Sequence, residues 1–239
     1  AYSDQSGVDW KTAAASAAKV LNHIGGVDGM DPTGWTWYCN VDDIEKLSPT
    51  ESPAEILWRG ERAKSLSLEE DNFPPTLYGN GRINPTQNLV DAFPMLNGYP
   101  VSHLSGEYDE NLPYANRDPR LEAYILYNGC KAGNTNKEIF TAADGTTNDA
   151  LNKVVGRSTR TGYYLRKLLR QDISLDPNAK ADQYHYTPRI RYTEIFLAYA
   201  EAANQAYGPQ DKGGNGYSAY DAVSYPHLRA HETSAHLVC

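Results

Sequence analysis

Nothing in this chain of 239 residues approaches the run of roughly 18 to 20 apolar residues that a membrane-crossing helix needs, so attachment to a bilayer would have to come from outside it. Basic residues are in deficit, 22 Lys and Arg against 30 Asp and Glu. The resulting net charge of -8 argues against nucleic acid or an anionic membrane surface as partner, because both reward clusters of Lys and Arg. Cysteine is scarce: Cys39 and Cys130 leave a disulfide open, and Cys239 is the last residue. There is no Ser/His/Asp elbow, phosphate-binding glycine loop or zinc-ligand spacing, which removes the commonest signatures of hydrolase, nucleotide and zinc chemistry. Phe is nearly missing, with 4 residues against 18 Tyr and 4 Trp, a bias toward rings with a polar edge that suit half-exposed positions. With 14 Pro, 19 Gly and a mean hydropathy of -0.62, much of the chain is expected to be loop around a modest core.

Helical periodicity is concentrated at two places. Ser6 and Asp9 make a capping-box start, and Trp10, Ala13, Ala14, Ala17, Leu21 and Ile24 follow at helical spacing up to Gly25, which predicts an amphipathic helix over residues 7–24. Residues 189–208, reading RIRYTEIFLAYAEAANQAYG, are apolar or small around most of a helix circumference and end at Gly208 and Pro209. Such a helix is expected to be buried, with Ala at contact positions so that a neighbouring backbone can come close. Between them the chain is rich in turn residues. Ile56, Leu57 and Trp58 suit a buried strand or turn, with Trp58 in the core, and Asn84 with Pro85 and Gln87 reads as the start of a short helix ending before Pro94. Alternation over Leu121 to Tyr127 predicts a strand, with Tyr163 to Leu169 as its partner.

Candidate chemistry is thin. Glu194 and Glu201 stand seven residues apart, roughly 10 Å at 1.5 Å rise per residue, a separation a glycosidase pair can have. Two acids on an Ala-rich packing helix are better read as solvent-facing or capping residues. His227, His231 and His236 lie close together in sequence, but in a terminal segment set apart below; His103 reads as a structural loop histidine. The acidic clusters at Asp28 to Asp31 and Asp42 to Asp43 lack the alternating ligand spacing of a calcium loop. No cofactor is therefore expected, with a structural calcium ion the one metal kept open. The aromatic residues say more. Trp35, Trp37 and Tyr38 crowd a loop rich in Gly, Pro and Asp, with Asn40, Asp42 and Asp43 beside them as hydroxyl partners. These rings either form a platform for pyranose faces or plug a helical array from outside, and both arrangements fit the composition. Tyr78, in a Gly-rich turn, is a further candidate ring.

Residues 191–208 resemble the C-terminal signature helix of the SusD/RagB family of outer-membrane nutrient-binding proteins. Collinear segments carry the same resemblance: Asn72-Phe73-Pro74-Pro75, the stretch NPTQNLVDAFPMLNGYP from Asn84 to Pro100, Asn116-Arg117-Asp118-Pro119-Arg120, and TGYYLRKL from Thr161 to Leu168. The resemblance implies a mainly α fold, a TPR-like helical-repeat (α-α superhelix) scaffold with long irregular loops and a small β element. It implies a binding protein, not an enzyme, that captures oligosaccharides at the external face of an outer membrane for a TonB-dependent, SusC-like barrel transporter. Family members are lipoproteins held to the membrane by a lipidated N-terminal Cys. This chain begins at Ala1 without such a residue, so residues 1–223 are read as the C-terminal part of a longer domain. Residues 224–239, SYPHLRAHETSAHLVC, match nothing expected there and are read as an adapter-derived tail, with Pro226 breaking the preceding helix. Alternatives are oligopeptide capture within the family and, outside it, a glycoside hydrolase or a periplasmic helical-repeat adaptor.

Overall fold

The computed structural model describes residues 9–29 and 56–223. In chain order the helices are α1 (Trp10–His23), α2 (Ser67–Asn72), α3 (Gln87–Ala92), α4 (Pro119–Tyr124), α5 (Tyr192–Tyr207) and α6 (Ala219–Val223). The strands are β1 (Ile56–Arg59), β2 (Ala63–Ser65), β3 (Ile125–Leu126), β4 (Lys131–Ala132), β5 (Lys137–Glu138), β6 (Tyr164–Leu165), β7 (Gln183–His185) and β8 (Pro188–Arg191). They form two compact units, residues 9–29 with 56–61 and 187–223, and residues 62–186.

The first unit is built on α1 and α5. Asp9 caps α1, its Oδ1 accepting the Thr12 amide at 2.7 Å. Ala14, Ala18 and Leu21 recur at helical spacing on one face and are buried against Phe196, Tyr199 and Ala203 of α5. Alanine on both surfaces lets the backbones approach, while Phe196 and Tyr199 are large, fully buried side chains, each contributing on the order of 2 kcal/mol. The Tyr199 hydroxyl donates to Tyr217 O at 2.6 Å, which ties α5 to the start of α6. The helix is less enclosed than its sequence suggests. Glu194, Leu197, Ala198 and Glu201 are exposed, and residues 189–191 leave the helix to form β8, which pairs antiparallel with β1. On β1 only Ile56 is buried; Trp58 is 61% exposed, because register shifts on both sides of it turn the ring outward.

Irregular chain makes up most of the second unit, held by small cores and by side chains that satisfy backbone groups. One core gathers Phe73, Leu77, Leu126, Ile139, Tyr164, Leu169 and Ile173, another Val90, Leu121, Ile125 and Tyr163. Arg117 donates to Val90 O, Phe93 O and Pro113 O at 2.6, 2.8 and 2.9 Å, closing the C-terminal end of α3. Tyr164 donates to Asp149 O and accepts the Thr159 amide, both at 2.9 Å. Thus Asn116 to Arg120 and Thr161 to Leu168 serve here as scaffold.

Two boundaries differ from expectation. Thr86, not Asn84, caps α3, and Asn84 instead bridges Gly81 O and the Arg160 amide. Residues 119–124 are helix, because Pro119 sits at the first helical position and Asp118 accepts the Arg120 amide at 2.8 Å. Only Ile125 and Leu126 are strand, paired with Leu165 and Tyr164 as the expected partner segment.

Candidate functional site

A cleft of about 240 Å³ opens on the second unit. Phe73, Leu77, Ile173 and Leu175 give it a buried apolar floor; Asn134, Thr135, Ser174 and Asp176 offer polar atoms around it. Tyr78 and Lys137 complete the rim, with the ammonium 5.4 Å from the ring centroid.

Tyr78 is placed by a tight turn. Pro74 and Pro75 start a 3-10 turn over Pro75–Leu77, and Tyr78 follows in the left-handed region at φ 66 and ψ 13. That conformation costs a residue with a Cβ about 1 to 2 kcal/mol. The next residue has to be Gly79, since a Cβ there would stand 2.1 Å from Phe73 O. The turn buries Leu77 and leaves Tyr78 45% exposed. A bulky residue kept in a costly conformation, half exposed at a cleft, is an outlier of the kind that points to function.

Electrostatics around the cleft are mixed. Lys137 and Asp176 form no ion pair with one another, and the Asp176 carboxylate accepts the Asn178 amide at 2.9 Å. Nearby, Asp149 is fully buried: Oδ1 accepts the Thr76 amide at 2.8 Å and Oδ2 has no partner. Burial pushes its carboxyl up from the ordinary value, against the Thr76 hydrogen bond and the charge of Lys137.

Of the residues singled out in the sequence, Tyr78 lies in the cleft. Trp35, Trp37, Tyr38, Asn40, Asp31, Asp42, Asp43, His227, His231, His236 and the side chain of Asp28 lie outside the described residues. Glu194 and Glu201 are both exposed on α5, as a solvent-facing reading requires. His103 accepts the Ser105 amide at 3.1 Å and stacks on Tyr99, a structural role. Cys130 is a buried free thiol, its pKa pushed up to about 11 by burial. Among the described residues no group of three His, Cys, Asp or Glu could hold a metal ion, and no helix is long and apolar enough to cross a membrane. Lys137, Asn134, Thr135 and Asp176 carry no signal in the sequence; they are ordinary polar residues of a short strand, a turn and a loop until the fold gathers them.

Comparison with curated proteins finds no match. Among solved structures, the chain is similar to a SusD-like protein from Bacteroides fragilis NCTC 9343, at 23% identity and a TM-score of 0.62, covering 98% of this chain and 48% of that one. It is also similar to a SusD-like carbohydrate binding protein from the same organism, at 24% identity and a TM-score of 0.51, covering 64% and 30%. The likeness establishes a SusD-like fold, helical with a few small strands, and the chain spans less than half the length of either structure. The profile of the SusD family matches residues 57–233, well over half of the sequence, and this chain belongs to that family.

Proposed function

We propose that the chain is part of a surface glycan-binding protein that captures oligosaccharides for a SusC-like, TonB-dependent transporter at the external face of an outer membrane. Attachment would be through a lipid anchor carried outside this sequence. The observation that carries the reading is the cleft: an exposed Tyr78 ring beside an apolar floor, with amide, hydroxyl and carboxylate groups around it, is suited to one sugar face and its hydroxyls. Trp35, Trp37, Tyr38 and Asn40 are proposed as a second platform in the same protein. Packing of α1 on α5 through alanines is the kind of helix pair that a TPR-like repeat stacks, and we extend the fold reading to that scaffold. Binding without hydrolysis is proposed, with no cofactor, since Glu194 and Glu201 face solvent.

Isothermal calorimetry of the full 239-residue chain against maltoheptaose, xylohexaose, mannohexaose and inulin, with a reducing-end assay alongside, tests this. Saturable binding of at least one of them without release of reducing ends is expected. Binding of none, or turnover that Glu194→Gln or Glu201→Gln abolishes, refutes it. The unpaired opposite charges of Lys137 and Asp176 favour oligopeptide as the second reading; hexapeptides in the same titrations decide between them.

A further inference from the structure

One wall of the cleft is a loop whose two ends meet at a single buried oxygen. Ile173, Ser174, Leu175, Asp176 and Ala181 line the cleft, and the chain that carries them departs at Arg170 and returns at His185. Glu69 Oε1, on α2, accepts the Arg170 amide at 2.8 Å and lies 2.9 Å from His185 Nε2. Glu69 is fully buried, and its Oε2 has no partner. Within the loop, Ser174 and Ala181 exchange two backbone hydrogen bonds, at 3.2 and 3.0 Å, and Arg170 Nη1 donates to Tyr184 O at 3.1 Å.

Counting hydrogens constrains the state of this junction. His185 Nδ1 is 3.0 Å from Gln183 O, a carbonyl that can only accept, so Nδ1 carries a hydrogen. The short contact between Nε2 and Glu69 Oε1 needs another, on the ring or on the carboxyl. The pair therefore holds one proton more than a neutral imidazole beside a carboxylate. Without it, the ring has one hydrogen for two acceptors, and a lone pair would face either the buried Glu69 carboxylate or the Gln183 carbonyl.

We propose that Glu69 and His185 are positioning residues of the cleft, a shared-proton staple that fixes its 173–181 wall and thereby sets ligand affinity. This rests on the cleft being the ligand site. The other charges around the junction are already engaged. Arg170 grips Asp172 at 2.9 and 2.6 Å, Lys180 of the loop pairs with Glu70 of α2, and Lys64 of β2 pairs with Asp182. The guanidinium of Arg62 lies over the ring of Tyr184. His185 is the group left to titrate near neutral pH. Burial alone lowers its pKa, but the hydrogen bond and charge of Glu69 outweigh this, and it stands above its ordinary 6.5. A raised pKa means that the staple acts in full below 6.5 and gives up one of its two ring hydrogen bonds as pH rises through the raised value.

The test is amide hydrogen exchange of Arg170 and Ala181 in the full chain from about pH 6 to pH 9, in the wild type and in His185→Gln, whose amide donates to Glu69 without titrating. Taking the ratio of the two proteins at each pH cancels the intrinsic exchange rate. Protection in the wild type is expected to fall by about tenfold relative to the variant across this range. Affinity for whichever of maltoheptaose, xylohexaose, mannohexaose and inulin binds should fall in parallel, and stay flat in His185→Gln. A constant ratio, or an equal fall in both proteins, overturns the staple. Loss of protection with unchanged affinity upholds the staple and overturns the cleft as ligand site. Glu69→Gln, which keeps an acceptor for Arg170 but no buried charge, should also give a flat profile; a profile as steep as the wild type overturns the role of Glu69.

Discussion

Replacing Tyr78 with Gly and, separately, with Ala divides its backbone from its ring. Both variants lose the same ring, including its contact with Lys137, which is worth about 0.5 to 1 kcal/mol at an exposed site. They differ in the left-handed backbone at φ 66. Ala keeps the cost of about 1 to 2 kcal/mol that a Cβ incurs there, whereas Gly escapes it and loses about 0.5 to 1 kcal/mol through its freer unfolded chain. Tyr78→Gly should therefore be more stable than Tyr78→Ala by roughly 0.5 to 1 kcal/mol, a melting difference of about 1 to 4 °C for a chain of this size. Ligand binding should not separate them. Stacking of a half-exposed ring on a sugar face is worth about 1 to 2 kcal/mol by analogy with other ring-face contacts, so both variants should bind roughly tenfold more weakly in calorimetry. An Ala variant as stable as the Gly variant would refute the left-handed turn. Unchanged affinity in both, while folded, would remove Tyr78 from the ligand site.

Two further outcomes test the surroundings. Trp58→Ala should change stability by no more than about 0.5 kcal/mol in chemical denaturation, since the ring is 61% exposed; a loss of several kcal/mol would return it to a core. Asp149→Asn should stabilise the protein at neutral pH, because the carboxyl is buried with a raised pKa and an unpartnered oxygen. A carboxyl whose folded pKa is raised weakens the native state increasingly as pH climbs above 3.8. The gain should therefore vanish below about pH 4, and a gain independent of pH would refute the electrostatic cause.

What could be read from the sequence follows the range of the interactions involved. Helices α1 and α5 were legible because their cause is local: Asp9 as a cap, alanines at helical spacing, and Gly208 in the left-handed region as a stop. The error at residues 189–191 is a long-range one, since these residues are strand only because Ile56 and Trp58 pair with Arg191 and Ile190. The exposure of Trp58 has a related cause; an apolar triplet says nothing about the bulges that turn its last residue out. The helix at 119–124 had its signal in plain view, Asp118 as cap followed by Pro119, and alternation of Leu121, Ala123 and Ile125 outweighed it although a buried helix end gives the same pattern.

The candidate site divides in the same way. Tyr78 could be flagged because Gly79 and Gly81 beside it announce a turn in which a large ring has little to pack on. Lys137 and Asp176 could not, because chain pairing far from Tyr78 brings them to it. Glu69 and His185 are the extreme case, 116 residues apart and joined by one hydrogen bond. In a unit with small cores and short strands, position is set less by apolar periodicity than by individual donors and acceptors that satisfy buried backbone. Such bonds have no sequence period, and each is sensitive to protonation in a way that packed alanines are not. The same irregularity that hides the cleft from sequence reading is what allows one proton at Glu69 and His185 to govern its wall.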